Sequence, residues 1–169
     1  SSNHSTGYNT MYEGEYHSAV DAKGRLALPV SIKRLMEENK HKEWVLTRGY
    51  DTTLFMFESS EWEKLAKKIP QSSLIPDELD FRRFIIGSSA RVQMDSAGRI
   101  LIPQHLRNWA DVDRGAALIC MDDHIEIWNE LRWKQYCVKR VEDFKRIGAE
   151  YFGSSSARLI QPKEDVSNA

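Results

Sequence analysis

Residues 20–29 read VDAKGRLALP, and residues 94–103 read MDSAGRILIP. Both stretches have the same layout, in which Asp, Gly, Arg and Pro recur at a constant separation of 74 positions. Four matches within ten positions rarely arise by chance in a chain of 169 residues. The chain therefore carries one module twice, and this duplication decides how the rest of the sequence is interpreted.

The repeat extends beyond this motif. Residues 53–57 and Trp62 correspond to residues 124–128 and Trp133, now at a separation of 71 positions. The second copy is therefore three residues shorter between the two matches, which is typical of a deletion in a loop. Each copy has only about 60 residues and would bury little surface alone, so we expect the two copies to share one core.

The duplication divides the chain into six segments. They are a disordered N-terminal arm or expression remnant (1–10), a first repeat (11–70), a linker helix (71–86), a second repeat (87–137), a helical extension (138–152) and a disordered tail (153–169). The linker helix begins near Pro76 and carries apolar side chains that we expect to pack against a neighbouring subunit. These are Leu79, Phe81, Phe84 and Ile85.

Local patterns predict a mainly β fold with short helices, of the α+β class. Alternating apolar residues before each motif predict a strand, and the Asp-x-x-Gly-Arg stretch predicts a tight turn that caps a β-hairpin. In these turns Gly24 and Gly98 supply a positive φ, while the side chains of Asp21 and Asp95 accept hydrogen bonds from turn N–H groups. Further strands are predicted at residues 43–47, 54–57, 116–121 and 125–128, and short helices at residues 30–36 and 104–109.

A helix closes each repeat. The first is predicted to begin with a capping box formed by Ser60 and Glu63, in which each side chain satisfies a backbone N–H group of the other residue. The second starts near Asn129 and continues into the helical extension with a Lys- and Arg-rich outer face.

Composition excludes several classes of protein. The net charge is −1, so any site for a polyanion must be a local patch. Cys120 and Cys137 lack the spacing of a metal-binding motif, and the histidines are scattered, so we expect no metal or other cofactor. The cysteines are interpreted as small buried hydrophobes in a reducing compartment. No apolar run approaches the roughly 20 residues that span a bilayer, which favours a cytoplasmic protein.

Two arginines are the main candidates for function. Arg25 and Arg99 lie in the two turns, which a pseudo-two-fold axis would bring to one face. The guanidinium fork suits a phosphate group or the edge of a guanine. Three nearby basic residues could widen the positive patch: Lys23, Lys33 and Arg107.

Other interpretations of the motif remain open. Asp21 with Arg25, and Asp95 with Arg99, could simply bridge each turn, a role compatible with an outward-facing arginine. Paired aspartates also occur in aspartic proteases, but an adjacent arginine keeps both carboxylates ionised, so we do not expect an enzyme. A structural or adaptor oligomer whose hairpins bind a protein partner is the alternative from another class.

The chain resembles the MraZ family over roughly residues 11–136. The resemblance rests on short stretches distributed across both repeats. They are MYEGEY at 11–16, DAKGR at 21–25, TRG at 47–49, RRF at 82–84, DSAGRILIP at 95–103, IEIW at 125–128 and RW at 132–133.

This resemblance implies a fold, a function and a site. The fold would be a pseudo-two-fold, swapped-hairpin β-barrel made of two tandem AbrB-like repeats. The function would be that of a transcriptional regulator, expected to be a repressor, of the bacterial division and cell-wall gene cluster. Such proteins are associated with the nucleoid and form homo-oligomeric rings, here expected to have about eight subunits, on repeated sites in double-stranded promoter DNA. The two Asp-x-x-x-Arg hairpins would contact the DNA. Ala97 replaces the lysine found at Lys23, so the two hairpins should not contact DNA equally.

Overall fold

The computed structural model describes residues 11–160, with side chains described as far as Gly153. Each repeat has the same order of elements, two strands, a helix, two strands and a helix, and one additional helix joins the repeats. The strands are β1 (Glu13–Ala19), β2 (Arg25–Ala27), β3 (Glu43–Arg48), β4 (Leu54–Glu58), β5 (Ala90–Gln93), β6 (Arg99–Leu101), β7 (Gly115–Met121) and β8 (Ile125–Trp128). The α-helices are α1 (Val30–Glu38), α2 (Ser59–Lys68), α3 (Pro76–Ile85), α4 (Gln104–Ala110) and α5 (Glu130–Ile160).

The strands of the two repeats are exchanged. Six of them form one antiparallel sheet in the order β1-β7-β8-β4-β3-β5. The first strand of each repeat thus pairs with the third strand of the other, β1 with β7 and β5 with β3. The hairpin expected around the first motif is reduced to a single bridge between Val20 and Leu26. The exchanged arrangement is the swapped-hairpin organisation that the resemblance implied.

The expected closed barrel is wrong, because the six-stranded sheet is open. β1 and β5 are its edges, and β2 and β6 form a separate two-stranded ribbon. Each ribbon strand has only three residues, and β2 pairs with β6. The ribbon therefore does not join β1 to β5, the two edge strands of the large sheet. The fold is mixed α+β, since α5 alone contains 31 residues.

The core is shared between the repeats, as predicted. Leu26 and Met56 from the first repeat and Ile100 and Leu118 from the second are at most 1% exposed and belong to one cluster. A smaller cluster lies where α2 and α3 meet the sheet. It consists of Val45, Phe57, Trp62, Ile69 and Ile85. The main core is therefore common to both repeats, whereas the smaller cluster belongs to the first repeat and the linker helix.

Two details of the helices differ from the sequence predictions. The cap of α2 is not the box of Ser60 and Glu63, because the N-cap is Glu58, two residues earlier, whose side chain accepts a hydrogen bond from Ser60 N at 2.9 Å. On α3, Ile85 packs inside its own chain, whereas Phe81 and Phe84 are 38% and 46% exposed. Only part of the apolar surface of α3 that was expected to contact a neighbouring subunit is therefore exposed.

The chain divides into two units after Glu130, and α5 makes up the described part of the second. This helix continues to Ile160, although a disordered tail was predicted from residue 153. A helix that is already formed propagates without a new nucleus, which allows it to continue through the weak helix formers Gly and Ser at 153–156. The predicted arm at 1–10 and the rest of the predicted tail, 161–169, lie outside the described residues. Within residues 11–160, no helix is both long and apolar enough to span a membrane.

Candidate nucleic-acid interface

The two motifs fold into the same turn. Gly24 N donates to Asp21 O at 2.9 Å, and Asp21 N donates to Arg25 O at 3.0 Å. The corresponding distances in the second turn are 3.0 Å and 2.8 Å. Both glycines have the positive φ that the sequence predicted, 84° at Gly24 and 77° at Gly98. A residue with a Cβ atom adopts such a conformation only with strain.

The aspartate side chains organise these turns from within. Asp21 Oδ1 accepts hydrogen bonds from the backbone N–H groups of Lys23 at 3.0 Å and Arg25 at 2.9 Å. Asp95 Oδ1 does the same for Ala97 at 3.0 Å and Arg99 at 2.9 Å. The backbone hydrogen bond from the arginine is the main cause that lowers the pKa of each carboxyl group below its usual value. Both groups are therefore ionised near neutral pH, unlike a dyad that shares one proton.

The same carboxylates hold the arginines. Asp21 Oδ2 accepts from Arg25 Nε at 2.6 Å, and Asp95 Oδ2 accepts from Arg99 Nε at 3.0 Å. Arg99 Nη1 also lies 3.7 Å from Asp21 Oδ2, so the two turns are linked. Both arginine side chains are still 32% exposed. Because the bridge uses Nε, the guanidinium groups are oriented by the turn while part of each remains accessible to a ligand. The bridge within each turn is therefore compatible with an arginine that binds a ligand.

The ribbon brings both arginines to one face. In its register Leu26 is opposite Ile100, and these two side chains are buried in the core. Successive side chains of a strand point to opposite faces, so the neighbours of these residues face outward. The outward residues are Arg25, Ala27, Arg99 and Leu101.

The remaining basic candidates lie in or against the two turns. Lys23 is exposed at the tip of the first turn. Lys33, on α1 of the first repeat, lies against Gly98 in the turn of the second repeat. Arg107, on α4 of the second repeat, lies against Gly24 in the turn of the first. All five predicted basic residues thus lie in or against the two turns, but these two lie against the turn of the opposite repeat.

Sequence reasoning missed two residues of this surface. Leu101 is 54% exposed on the outer face of the ribbon, although its motif predicted only an apolar strand. Gln104 accepts a hydrogen bond from Arg107 Nη2 at 2.8 Å and so orients that side chain. The alternation of a three-residue strand could have identified Leu101, because Ile100 must face the core. Nothing in the sequence indicated the role of Gln104.

These features define a class of protein. It is a tandem-repeat chain with exchanged strands, whose duplicated turns present two oriented arginines on one β ribbon. No group of three or more His, Cys, Asp or Glu side chains in residues 11–160 is arranged to hold a metal ion. The described surface thus offers cationic and hydrogen-bonding groups rather than a metal centre.

Comparison with known proteins gives a narrower assignment. The chain matches the family described as "MraZ protein, putative antitoxin-like" twice, over residues 11–84 and 85–153. A protein of Acetivibrio thermocellus named Transcriptional regulator MraZ is 34% identical over 127 residues, which cover 75% of this chain and 86% of that protein. A protein of Natranaerobius thermophilus with the same name is 30% identical over 141 residues, which cover 83% and 96%. The chain belongs to the MraZ family, whose named members here are regulators of transcription rather than enzymes.

Proposed function

We propose that this protein is a DNA-binding transcriptional regulator that binds double-stranded promoter DNA with its β2–β6 ribbon and the two adjoining turns. The observation that carries the proposal is the pair of arginines on the outer face of the ribbon, each held by an aspartate of its own turn. A two-stranded ribbon is one of the elements that fit the major groove of B-DNA. The names of the relatives support a regulator of transcription.

The geometry suits recognition of an anionic groove. A guanidinium group donates two parallel hydrogen bonds to a phosphate or to the O6 and N7 atoms of guanine. The bridge from Asp21 or Asp95 fixes the side chain before DNA arrives, which lowers the entropy lost on binding. In this proposal Arg25 and Arg99 make the principal contacts. Phosphate contacts come from Lys23, Lys33 and Arg107.

The proposal extends to assembly and to the regulated genes. Subunits form a homo-oligomeric ring of about eight copies, which engages repeated promoter sites and represses the division and cell-wall gene cluster on the nucleoid. A net charge of −1 gives a single subunit little general attraction to DNA. Several tethered subunits raise the effective concentration of each further contact, so a small patch on each one is sufficient.

An exposed apolar surface supports contact between subunits. Phe81 and Phe84 on α3 border a cavity of about 620 Å³, in which the Arg48 guanidinium lies 5.2 Å from the Phe84 ring and 5.0 Å from the Trp109 ring. Exposed aromatic residues beside such a cavity are typical of an interface. We expect Phe81→Asp to reduce the size of the assembly in light-scattering chromatography. An unchanged mass would remove α3 from the contact.

The DNA-binding proposal is tested by titrating the DNA just upstream of the protein's own gene in gel shifts at two salt concentrations. Arg25→Ala and Arg99→Ala should each weaken binding by about tenfold or more, since a specific arginine contact contributes about 1–3 kcal/mol. Arg91→Ala is the matched control, because Arg91 pairs with Glu43 at 2.7 Å in the large sheet. Wild-type affinity should fall steeply with salt. Equal binding by all three variants would contradict the proposed site.

A further inference from the structure

Each turn of the candidate interface is covered by a basic side chain from the opposite repeat. A Cβ atom placed on Gly24 would collide with the guanidinium of Arg107, whose Nη1 would be 2.6 Å away. A Cβ atom on Gly98 would collide with the side chain of Lys33, whose Nζ would be 2.9 Å away. The absence of a side chain at each glycine therefore makes room for a cation as well as permitting the positive φ.

Two backbone hydrogen bonds explain this crossing. Leu28 N donates to Gly98 O at 3.0 Å, and Ile102 N donates to Gly24 O at 2.9 Å. Leu28 follows β2 directly and leads into α1, so the helix carrying Lys33 starts beside the second turn. Ile102 has the same position before α4, which starts beside the first turn and carries Arg107. The exchange of strands between repeats thus determines which basic residue reaches which turn.

The two resulting clusters are unequal. The first tip consists of Lys23, of Arg25 bound to the carboxylate of Asp21, and of Arg107 against Gly24. The second tip has Arg99 and Lys33 around the carboxylate of Asp95, with Ala97 at the position equivalent to Lys23. The first tip thus has three cations and one carboxylate, and the second has two cations and one carboxylate. Arg99 Nη1 also lies 3.7 Å from Asp21 Oδ2, so the two tips are in contact.

The cations also differ in how firmly they are held. Within the described residues, Lys23, Lys33 and Arg107 form no ion pair with a carboxylate, so their charges remain available to a ligand. Arg107 Nη2 is fixed by Gln104 at 2.8 Å, and its Nε is buried without a hydrogen-bond partner. Lysine presents a compact charge on a flexible stem, whereas arginine presents a planar fork that binds two phosphate oxygens together. The first tip is therefore more charged, and the residue that covers its glycine is an arginine oriented by Gln104 rather than a lysine.

We propose that each DNA-contacting tip is a composite of both repeats, and that the inequality of the two tips makes every subunit bind its DNA site in one orientation. This inference rests on the proposed DNA-binding function. Arg107 acts with Lys23 and Arg25 on the first tip, and Lys33 acts with Arg99 on the second. The first tip makes the larger contribution to phosphate binding, and the second tip binds the other half of the DNA site with fewer phosphate contacts.

Double-mutant cycles of DNA affinity test the composition of the tips. Lys33→Gln and Arg107→Gln remove the charge while retaining much of the side chain that covers each glycine. Each variant should reduce the slope of log affinity against log salt by about 1, and Arg107→Gln should weaken binding by about tenfold. The double variant Lys23→Gln/Arg107→Gln should lose DNA affinity by a factor that differs about threefold or more from the product of the factors for the two single variants. Lys23→Gln and Lys33→Gln should combine as a simple product.

The opposite pattern of coupling would overturn the inference. If Lys23 is coupled to Lys33 and not to Arg107, each turn works with the basic residue of its own repeat. If neither pair is coupled, the tips are not composite units. In both cases a strong loss of DNA affinity in Arg25→Ala would leave the proposed function intact. If Arg25→Ala, Arg99→Ala and Arg107→Gln all bind DNA with wild-type affinity, the proposed DNA-binding face itself is rejected. Unfolding midpoints measured for every variant separate a folding defect from a loss of contact.

A cleavage experiment tests the orientation. Ala22→Cys and Ser96→Cys place a thiol at equivalent, exposed positions of the two turns. An iron chelate attached to either thiol in a Cys137→Ser background cuts nearby DNA. With a probe that contains one repeat, the two chelates should cut opposite ends of the site. Equal cutting of both ends by each chelate would show that the subunit binds in both orientations and would overturn the inference.

Discussion

Asp21 and Asp95 each accept hydrogen bonds from two backbone N–H groups and one guanidinium group. These donors favour the ionised carboxylate and lower its pKa from the ordinary value of 3.8. A carboxyl group with a lowered pKa contributes its stabilisation above the unfolded-state pKa, and this contribution is lost as pH falls through the lowered value. The order of both turns should therefore be insensitive to pH from about 5 to about 7 and should decline below about pH 4.

The pH prediction is checked by urea unfolding from pH 7 to pH 3. The wild-type protein should lose more of its free energy of unfolding than a variant carrying Asp21→Asn and Asp95→Asn, because asparagine does not titrate. The variant should start from a lower stability at pH 7, since it lacks the two ion pairs. Parallel curves over the whole range would mean that these carboxylates do not contribute to the acid sensitivity.

Gly98 should not tolerate a side chain. At φ 77°, alanine is strained by about 1–2 kcal/mol, and its Cβ atom would also displace Lys33. We expect Gly98→Ala to lower the free energy of unfolding by at least about 1 kcal/mol in urea titrations and to weaken DNA binding. Gly148→Ala in α5 is the control, because its added Cβ atom meets no atom beyond its chain neighbours and the local helix backbone, and the change should be neutral or stabilise the helix by up to about 1 kcal/mol. A loss no larger than that of the control would contradict the role given to Gly98.

At the level of single residues, the sequence predicted the contacts that are made between neighbouring positions of the chain. The hydrogen bonds that Asp21 and Asp95 accept come from residues at most four positions away. The spacing of the motif was sufficient to identify these bonds and the turn glycines. By contrast, Lys33 contacts Gly98, 65 residues away, and Arg107 contacts Gly24, 83 residues away. These contacts depend on the exchange of strands, which no local pattern encodes.

The junction between β3 and α3 depends on one buried hydroxyl group. Thr47 is fully buried, and its Oγ1 donates to Ile85 O at 2.5 Å and lies 3.1 Å from Ser88 Oγ. Thr47→Val keeps the volume but leaves the Ile85 carbonyl without this donor, so it should cost about 1–3 kcal/mol of unfolding free energy. Thr47→Ser retains the hydroxyl group and is the matched control. If the serine variant is the less stable of the two in urea titrations, packing of the methyl group outweighs the hydrogen bond.

Elements with a strong local pattern were predicted closely. β8 was confirmed at Ile125–Trp128, and β3 differs from its prediction by one residue at the end. The start of α2 was missed because Glu58, the last residue of β4, supplies the cap, and a residue within a strand pattern gave no helix signal. The closed barrel was wrong because closure depends on whether two three-residue strands reach the sheet edges, which is a property of the assembled chain.

The exchange of strands makes opening of the large sheet a property of the whole repeat pair. Cys120 lies on β7, which pairs with β1 of the first repeat and β8 of the second. Burial raises the pKa of this thiol to about 12 and leaves it 6% exposed, so it should react only when the sheet opens. Cys137 is exposed and should react at once.

A Cys137→Ser variant turns Cys120 into a reporter of that opening. In native-state labelling at low urea, the free energy of opening should equal that of global unfolding, with the same dependence on urea. Faster labelling with little urea dependence would show that β7 opens locally. The repeats would then unfold in separate steps despite their shared core.

A chain with only one of these repeats could not complete its own sheet, because its first and third strands find their partners in the other copy. It could do so by meeting an identical chain across a two-fold axis. In such an ancestor every mutation would appear on both sides at once. Joining the copies in one gene releases them from that constraint. The two copies differ in this way at Lys23 and Ala97, and at Ala27 and Leu101. Under the proposed binding mode, it is the covalent joining of two copies that permits unequal tips and so gives the subunit a direction on DNA.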